Sequence, residues 1–139
     1  MPIQHWLLKT EPTVYSFDDL LRKEREVWDG ITNALALKHL RSARGGDLAL
    51  IYHTGRERAA IGIARILGES YPDPKRGDPA LQVIEIEPVK ALARPVSLEA
   101  MKGNPRLKGF DLLRLPRLSF VPVSPAHWEV ILEMSDTRG

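Results

Sequence analysis

The stretch "DLALIYHTGRERAAIGIARIL", residues 47–67, decides the fold class. From Leu48 to His53 its residues alternate between two faces, which is typical of a β-strand. "AAIGIARIL" is a second strand, and only the polar turn "TGRER" joins the two. Strands that are joined by a short turn pair antiparallel, whereas parallel neighbours need long crossovers. The stretch therefore predicts an α+β domain with a mostly antiparallel sheet, and not a doubly wound parallel one.

The N-terminal side of this hairpin predicts one strand and two helices. "IQHWLLKT" is a strand that Pro12 stops. A helix follows in "YSFDDLLRKERE", where Ser16 is the N-cap and Asp19 completes a capping box. The short helix "NALALKHLRSA" has Asn33 available as its cap, and we expect Gly45-Gly46 to end it in a left-handed turn.

The C-terminal side predicts two more strands and a last helix. "ALQVIEIEPVKAL" is a long strand, "SLEAMKGN" a helical turn or two, and "RLSFVPV" a strand that Pro122 places near a sheet edge. Ser124 caps a final helix with Pro125 at its first position. "SYPDPKRGDPA" carries turn residues and no packing signal, so it is expected to be a loop.

Composition bounds what the chain can be. With 139 residues, 43% of them hydrophobic and 27% charged, one domain spanning 1–139 is expected. No apolar run is long enough for a membrane span, no secretory signal is visible, and cysteine is absent. A cytoplasmic location follows, with nucleoid association as an alternative and the nucleus if the source is eukaryotic. The net charge of +2 permits nucleic-acid binding without demanding it.

Motifs for catalysis or cofactors are missing. There is no Gly-rich phosphate loop and no GxSxG elbow. The histidines show no metal-ligand spacing; they are His5, His39, His53 and His127. Pairs of acids at a helix start or on a strand have electrostatic or solvent-facing explanations. We therefore expect no enzyme, no cofactor and no metal.

Polar groups collect where core strands end, in "HWLLKTEP", "WDGITN", "YHTG" and "RLSFVPV". Each has a purely structural alternative. Asn33 serves equally well as a helix cap, His53 would satisfy a buried carbonyl, and Arg117 would pair with an acid. Trp28 is the hardest to explain this way, because Asp29 and Gly30 make its setting turn-like and partly open.

These stretches together resemble the EVE domain family. K-[ST]-E-P, Y-S-[FI]-D-D-L, W-D-G-[IV]-x-N, G-D-L-x-[LF]-x-Y-H and R-L-S occur here in the family's order, and the resemblance covers Trp6 to about Leu132. It implies a PUA-like fold, a curled, mostly antiparallel β-barrel with short helices at its rim. It also implies kinship with YTH and ASCH domains, which hold a nucleobase in an aromatic-lined pocket.

The resemblance implies a site in which Trp28 stacks on a base and Asn33 reads its edge. Tyr52, His53 and Thr54 would form the polar side of the same cavity, and Arg117 would suit a phosphate. The remaining candidates are Lys9, Thr10, Glu11, Asp29, Gly30, Leu118 and Ser119. The family's usual Arg, Tyr and Gln are replaced at the rim by Thr32, Ala34 and Leu35.

The function expected on this basis is a monomeric reader of a modified base, with methylated cytosine in DNA favoured over RNA. Three alternatives stay open: an RNA-binding adaptor, a nucleotide-processing enzyme of the ASCH kind, and a small-molecule sensor that uses the same pocket. The enzyme would need Lys9 or Glu11 as its general base.

Overall fold

A computed structural model describes residues 3–137, which form seven strands and five α-helices. The strands are β1 (His5–Thr10), β2 (Glu26–Trp28), β3 (Leu48–His53), β4 (Ala59–Ile66), β5 (Tyr71–Pro72), β6 (Gln82–Ser97) and β7 (Phe120–Val123). The helices are α1 (Phe17–Lys23), α2 (Ala34–Ser42), α3 (Leu98–Lys102), α4 (Asp111–Arg114) and α5 (Pro125–Met134), with a 3-10 turn at Pro105–Leu107.

The strands form one curled sheet in the order β2-β6-β4-β3-β1-β7, with β5 paired to β6. Among the described strands β1 and β3 are the parallel pair, and the other pairs are antiparallel. The short helices lie around this half-barrel. The predicted α+β class with a mostly antiparallel sheet is confirmed, and Pro122 lies on the edge strand β7 as expected.

Local capping signals were predictive at all three helix starts named above. The Ser16 side chain accepts from the Asp19 amide and the Asp19 carboxylate accepts from the Ser16 amide, a complete capping box. Asn33 caps α2 and Ser124 caps α5. Each contact joins residues two or three positions apart, so its signal can be recognised from the local sequence.

Two local predictions were wrong. α2 ends at Ser42 with Ala43 in an extended conformation, before the glycines that were expected to end it. The loop "SYPDPKRGDPA" does pack: Tyr71 pairs with Val83 and Asp73 is buried, with its backbone N–H donating to the Leu81 carbonyl. Val83 lies in β6 and Leu81 directly precedes it, so these partners lie outside the loop and nothing within the loop itself predicts the pairing.

β4 crosses the middle of the sheet and carries a glycine at its most crowded point. The Phe17 ring of α1 lies directly over Gly62, so that a side chain there would collide with it. The strand register shifts beside this contact, between Ala60 and Gly62 against β6 and between Ile51 and Tyr52 against β3. Against β3 the extra residue is Ile61 of β4, and such a bulge bends the strand that carries it.

Candidate functional site

The carboxyl ends of β1 and β3 lie side by side because the two strands are parallel neighbours. Lys9 is paired with Tyr52 and Thr10 with His53. The Thr54 amide continues the ladder by donating to the Thr10 carbonyl at 2.9 Å. On the other side of β1 the Lys9 amide donates to the carbonyl of Ser119 at 3.0 Å. Residues that lie far apart in the sequence are thus gathered at one end of the sheet.

A cavity of about 260 Å³ opens between this strand end and helices α3 and α4. We call it the Tyr52 cavity; it is lined by Lys9, Tyr52, Thr54, Gly55, Arg58, Leu98, Lys102, Leu112, Leu113 and Pro116. Tyr52 is the aromatic residue in this wall and is almost fully buried. The Lys9 amino group donates to the Pro116 carbonyl, and burial lowers the pKa of Lys9. The cavity therefore combines an apolar floor with a few polar groups, as ligand sites usually do.

His53 is buried and both of its ring nitrogens have partners. Its Nε2 accepts from the Phe17 amide at 3.0 Å, so Nδ1 carries the proton that faces Glu57 Oε1, also at 3.0 Å. The predicted structural alternative therefore holds in a modified form, because the partner is a backbone N–H and not a carbonyl. His53 ties the start of α1 to the β3–β4 turn.

Thr10 and Glu11 also bond within the protein. The Thr10 hydroxyl donates to the Tyr15 carbonyl at 2.6 Å. The Glu11 carboxylate accepts from the Thr13 hydroxyl at 3.1 Å and from the Thr54 hydroxyl at 3.3 Å. These bonds shape the rim above Gly55 and orient Thr54, which lines the cavity.

Trp28 lies in a strand, and not in the turn that Asp29 and Gly30 suggested. It pairs with Ile84 of β6, is only 9% exposed, and meets the Tyr15 ring edge-on at a centroid distance of 5.8 Å. It is not among the residues that line the Tyr52 cavity. We had expected Trp28 and Tyr52 to form two walls of one cavity. Trp28 lies outside the wall of the Tyr52 cavity, so the geometry differs from that expectation.

Asn33 uses its side-chain oxygen as a helix cap. Oδ1 accepts from the amides of Leu35 at 2.9 Å and Ala36 at 3.1 Å. In this conformation the exposed residue has its amide N–H groups available for another partner, while its side-chain oxygen is engaged by the helix. Asp29 and Gly30 are exposed beside it.

Replacing Asn33 with Ala tests this assignment. We expect a loss of about 1 kcal/mol in the free energy of unfolding, the usual effect of removing an N-cap. Urea denaturation measures it, and oligonucleotide titration of the same variant should show unchanged affinity. Unaltered stability together with weakened binding would instead assign Asn33 to ligand recognition.

The segment Arg117–Ser119 contributes a surface cation and a structural anchor. Arg117 is exposed, and within residues 3–137 no acidic side chain lies at ion-pair distance from it. Leu118 is buried in the core. Ser119 acts through its carbonyl on β1. The acid pairing considered for Arg117 therefore does not occur within the described residues, and its contact with a phosphate stays a prediction.

Sequence reasoning missed much of the cavity wall and the surface next to it. A groove of about 770 Å³, which we call the basic groove, is lined by Gly55, Arg56, Glu57, Arg58, Ser97, Leu98, Glu99 and Lys102. Arg56 and Arg58 directly follow the "YHTG" motif, so the turn "TGRER" was a usable signal. Lys102 and the α4 residues had no local signal, because only the tertiary fold brings them here.

A larger groove of about 960 Å³ lies at the other end of β1, lined in part by His5, Asp47 and His127. Its polar groups are largely engaged. The Asp47 carboxylate accepts from the Trp6 indole at 3.0 Å and from two backbone amides. The His5 ring packs on Trp128 at 4.4 Å, and burial lowers the pKa of His5. The Asp47 carboxylate is thus saturated by the protein, whereas the buried His5 Nδ1 has no hydrogen-bond partner among the described residues.

No group of three histidine or acidic side chains between residues 3 and 137 is arranged to hold a metal ion. Over the same residues no helix has both the length and the apolar character that crossing a bilayer requires.

Comparison with known proteins gives a consistent result. The chain is 27% identical to mouse thymocyte nuclear protein 1, across 96% of this chain and 74% of that protein. An NMR structure from Rhodopseudomonas palustris is 36% identical with a TM-score of 0.91, covering 96% of this chain and 94% of that one. Human THYN1 in complex with 5-methylcytosine-containing DNA is 26% identical with a TM-score of 0.87, covering 98% and 99%. The EVE domain model matches residues 4–134, so the chain belongs to the EVE domain family.

Proposed function

We propose that this protein is a nucleic-acid-binding reader that holds a modified base, with methylated cytosine in DNA as its favoured ligand. The observation that carries the proposal is the Tyr52 cavity, a partly apolar space with lysine and hydroxyl groups in its wall. The choice of ligand rests on human THYN1, whose structure contains 5-methylcytosine DNA and which shares this fold along nearly the whole chain.

The cavity suits one base better than a larger ligand. Its volume of about 260 Å³ is slightly below the range of roughly 300–1,000 Å³ found for drug-sized ligands. Stacking on an open aromatic face contributes about 1–3 kcal/mol for any base, and we expect less here because Tyr52 is only 4% exposed. A buried methyl group adds about 0.8 kcal/mol, a factor of about four in affinity. We therefore expect moderate discrimination, and tighter binding to single strands, from which no base must be extruded.

We propose binding and not catalysis. Lys9 and Glu11 were the acid–base candidates, and both side chains bond to neighbouring groups of the protein. DNA is proposed over RNA because the human relative was solved with DNA. A monomer remains our prediction.

The decisive experiment is a titration of short single-stranded DNA and RNA that carry one plain, methylated or hydroxymethylated cytosine. Wild type should bind methylated DNA about four times more tightly than plain DNA. Leu113→Trp should abolish this preference, because Leu113 is half-buried in the cavity wall and an indole would fill the space. Leu21→Trp, on an exposed face of α1, is the matched control and should behave like wild type.

Two results would contradict the proposal. Equal affinity for all oligonucleotides would exclude base reading, and a preference for the RNA series would indicate an RNA adaptor.

Trp28→Phe locates the base independently. Loss of the preference in Trp28→Phe, with Leu113→Trp unaffected, would place the base against Trp28 and not in the Tyr52 cavity.

A further inference from the structure

The basic groove is continuous with the Tyr52 cavity. The two share four lining residues, which are Gly55, Arg58, Leu98 and Lys102. Burial raises the pKa of Tyr52, and the positive charge of Arg58 acts in the opposite direction on the same hydroxyl. A ligand that occupied the cavity would therefore extend directly into the groove.

The groove carries cations without acidic partners. In the described part of the chain no carboxylate lies within ion-pair distance of Arg56, Arg58 or Lys102. Glu57, which separates the two arginines in the sequence, is held by His53 at 3.0 Å. With Glu57 and Glu99 included, the groove lining has a net charge of +1. Among the described residues neither acid lies at ion-pair distance from the arginines, so their charges are available to an anion from outside.

The turn that presents these cations is held in an unusual conformation. Gly55 has a φ of +75° and Arg58 a φ of +44°, a left-handed value that is uncommon for a residue with a side chain. The backbone carbonyl of Arg58 accepts a hydrogen bond from the Leu98 amide at 2.7 Å. The Nε of the Arg58 side chain donates to the Gly55 carbonyl at 3.2 Å. Strain of this kind persists when surrounding contacts impose it, and it is frequent at ligand sites.

We infer that the basic groove binds the phosphates that flank the base, so that the ligand is a nucleotide within a single or locally opened strand and not a free base or nucleoside. This inference rests on the proposed function, because it assigns the base to the adjoining cavity. Guanidinium groups match phosphate oxygens in geometry as well as charge, which suits Arg56 and Arg58 to this role.

Salt dependence measures such contacts directly. For a single strand, the slope of log affinity against log salt is about −0.7 for each neutralised phosphate. Removing two cations should therefore make the slope shallower by about 1.4. The fourfold rise from 50 to 200 mM salt would then cost the wild type about sevenfold more affinity than the variant.

The test compares Arg56→Gln/Lys102→Gln with Lys38→Gln/Lys75→Gln. The second pair removes the same charge from exposed lysines in α2 and in the loop before β6, whereas the groove lies at the Ser97 end of β6. The ligands are 5-methyldeoxycytidine, its 5′-monophosphate and a five-nucleotide strand with a central 5-methylcytosine.

We expect wild-type affinity to rise from nucleoside to monophosphate to strand, and the groove variant to lose most of this rise. Arg56→Gln alone, which changes no residue of the Tyr52 cavity, should keep the preference for the methylated base. Equal slopes in the groove variant and the control variant would overturn the inference. Equal affinity for nucleoside and strand would also overturn it.

The outcomes separate the two proposals. A shallower slope in the groove variant, in a protein that ignores methylation, would support phosphate binding by the groove and contradict base reading. A methylation preference with an unchanged slope would contradict the groove and leave base reading intact.

Discussion

Gly62→Ala should destabilise the protein by about 3 kcal/mol, because a Cβ at this position would lie 2.4–2.6 Å from three carbon atoms of the Phe17 ring. Both residues are buried, so the ring has no open space to enter. The backbone of Gly62 is not left-handed, so the cost comes from the collision alone. At roughly 2–4 °C per kcal/mol, the midpoint of thermal unfolding should fall by about 10 °C.

Gly68→Ala is the matched control, since nothing lies within 4 Å of a Cβ there and its φ is not positive. We expect it to stay within about 0.5 kcal/mol of wild type. A double-mutant cycle with Phe17→Leu identifies the contact, because the smaller side chain should cost less in the Gly62→Ala background than in wild type. Strictly additive effects, or a stable Gly62→Ala variant, would show that the ring does not rest on Gly62.

The same collision should affect the candidate site. The Phe17 amide donates to His53 Nε2, and His53 Nδ1 holds Glu57 in the β3–β4 turn. Displacing Phe17 would therefore loosen the turn that carries Arg56 and Arg58. Stability of the core and presentation of the basic groove are linked through this one histidine.

Asp47→Ala should destabilise the protein by about 3–5 kcal/mol, because it leaves three donors without their acceptor. Oδ1 accepts from the Gln4 amide at 2.9 Å, and Oδ2 accepts from the Trp6 indole at 3.0 Å and the Arg44 amide at 2.8 Å. The carboxylate is only 3% exposed, so water replaces these bonds poorly. Urea denaturation gives the free energy, and hydrogen exchange of the Trp6 indole reports the lost bond directly.

Asp47→Asn should have an intermediate effect, since an amide keeps the shape but turns one acceptor into a donor that faces another donor. Asp18→Ala is the control: the residue is exposed in the first turn of α1, where losing favourable charge–dipole interaction costs about 0.3–1 kcal/mol. If Asp47→Ala were no more destabilising than Asp18→Ala, the buried carboxylate would not hold β1 to the loop before β3.

Part of the candidate site was predictable from the sequence. The residues that were predicted lie within local motifs, and those that were missed lie far from these motifs along the chain. The motifs at the ends of β1 and β3 marked Lys9, Tyr52 and Thr54, and all three line the cavity. The alternation of residues along these two strands and the position of Pro12 after the first are local signals that identify the strand ends. Because β1 and β3 are parallel neighbours, their ends then lie together. The walls formed by Leu98 and by Leu112 and Leu113 of α4 lie about 45 to 60 positions after Tyr52 in the sequence, and nothing in their local sequence predicts that they face this cavity.

The sequence alone determined the features that depend on neighbours within four residues or on strict alternation: the capping box at Ser16, the caps at Asn33 and Ser124, and the strand from Leu48 to His53. Its motifs also identified the family. Only the tertiary structure decided that Trp28 is a buried strand residue paired with Ile84, and that Lys102 and Arg58 share a groove. Burial and pairing of this kind depend on surfaces contributed by distant segments, and an isolated stretch of chain contains neither its partner strand nor the side chains that exclude water from it.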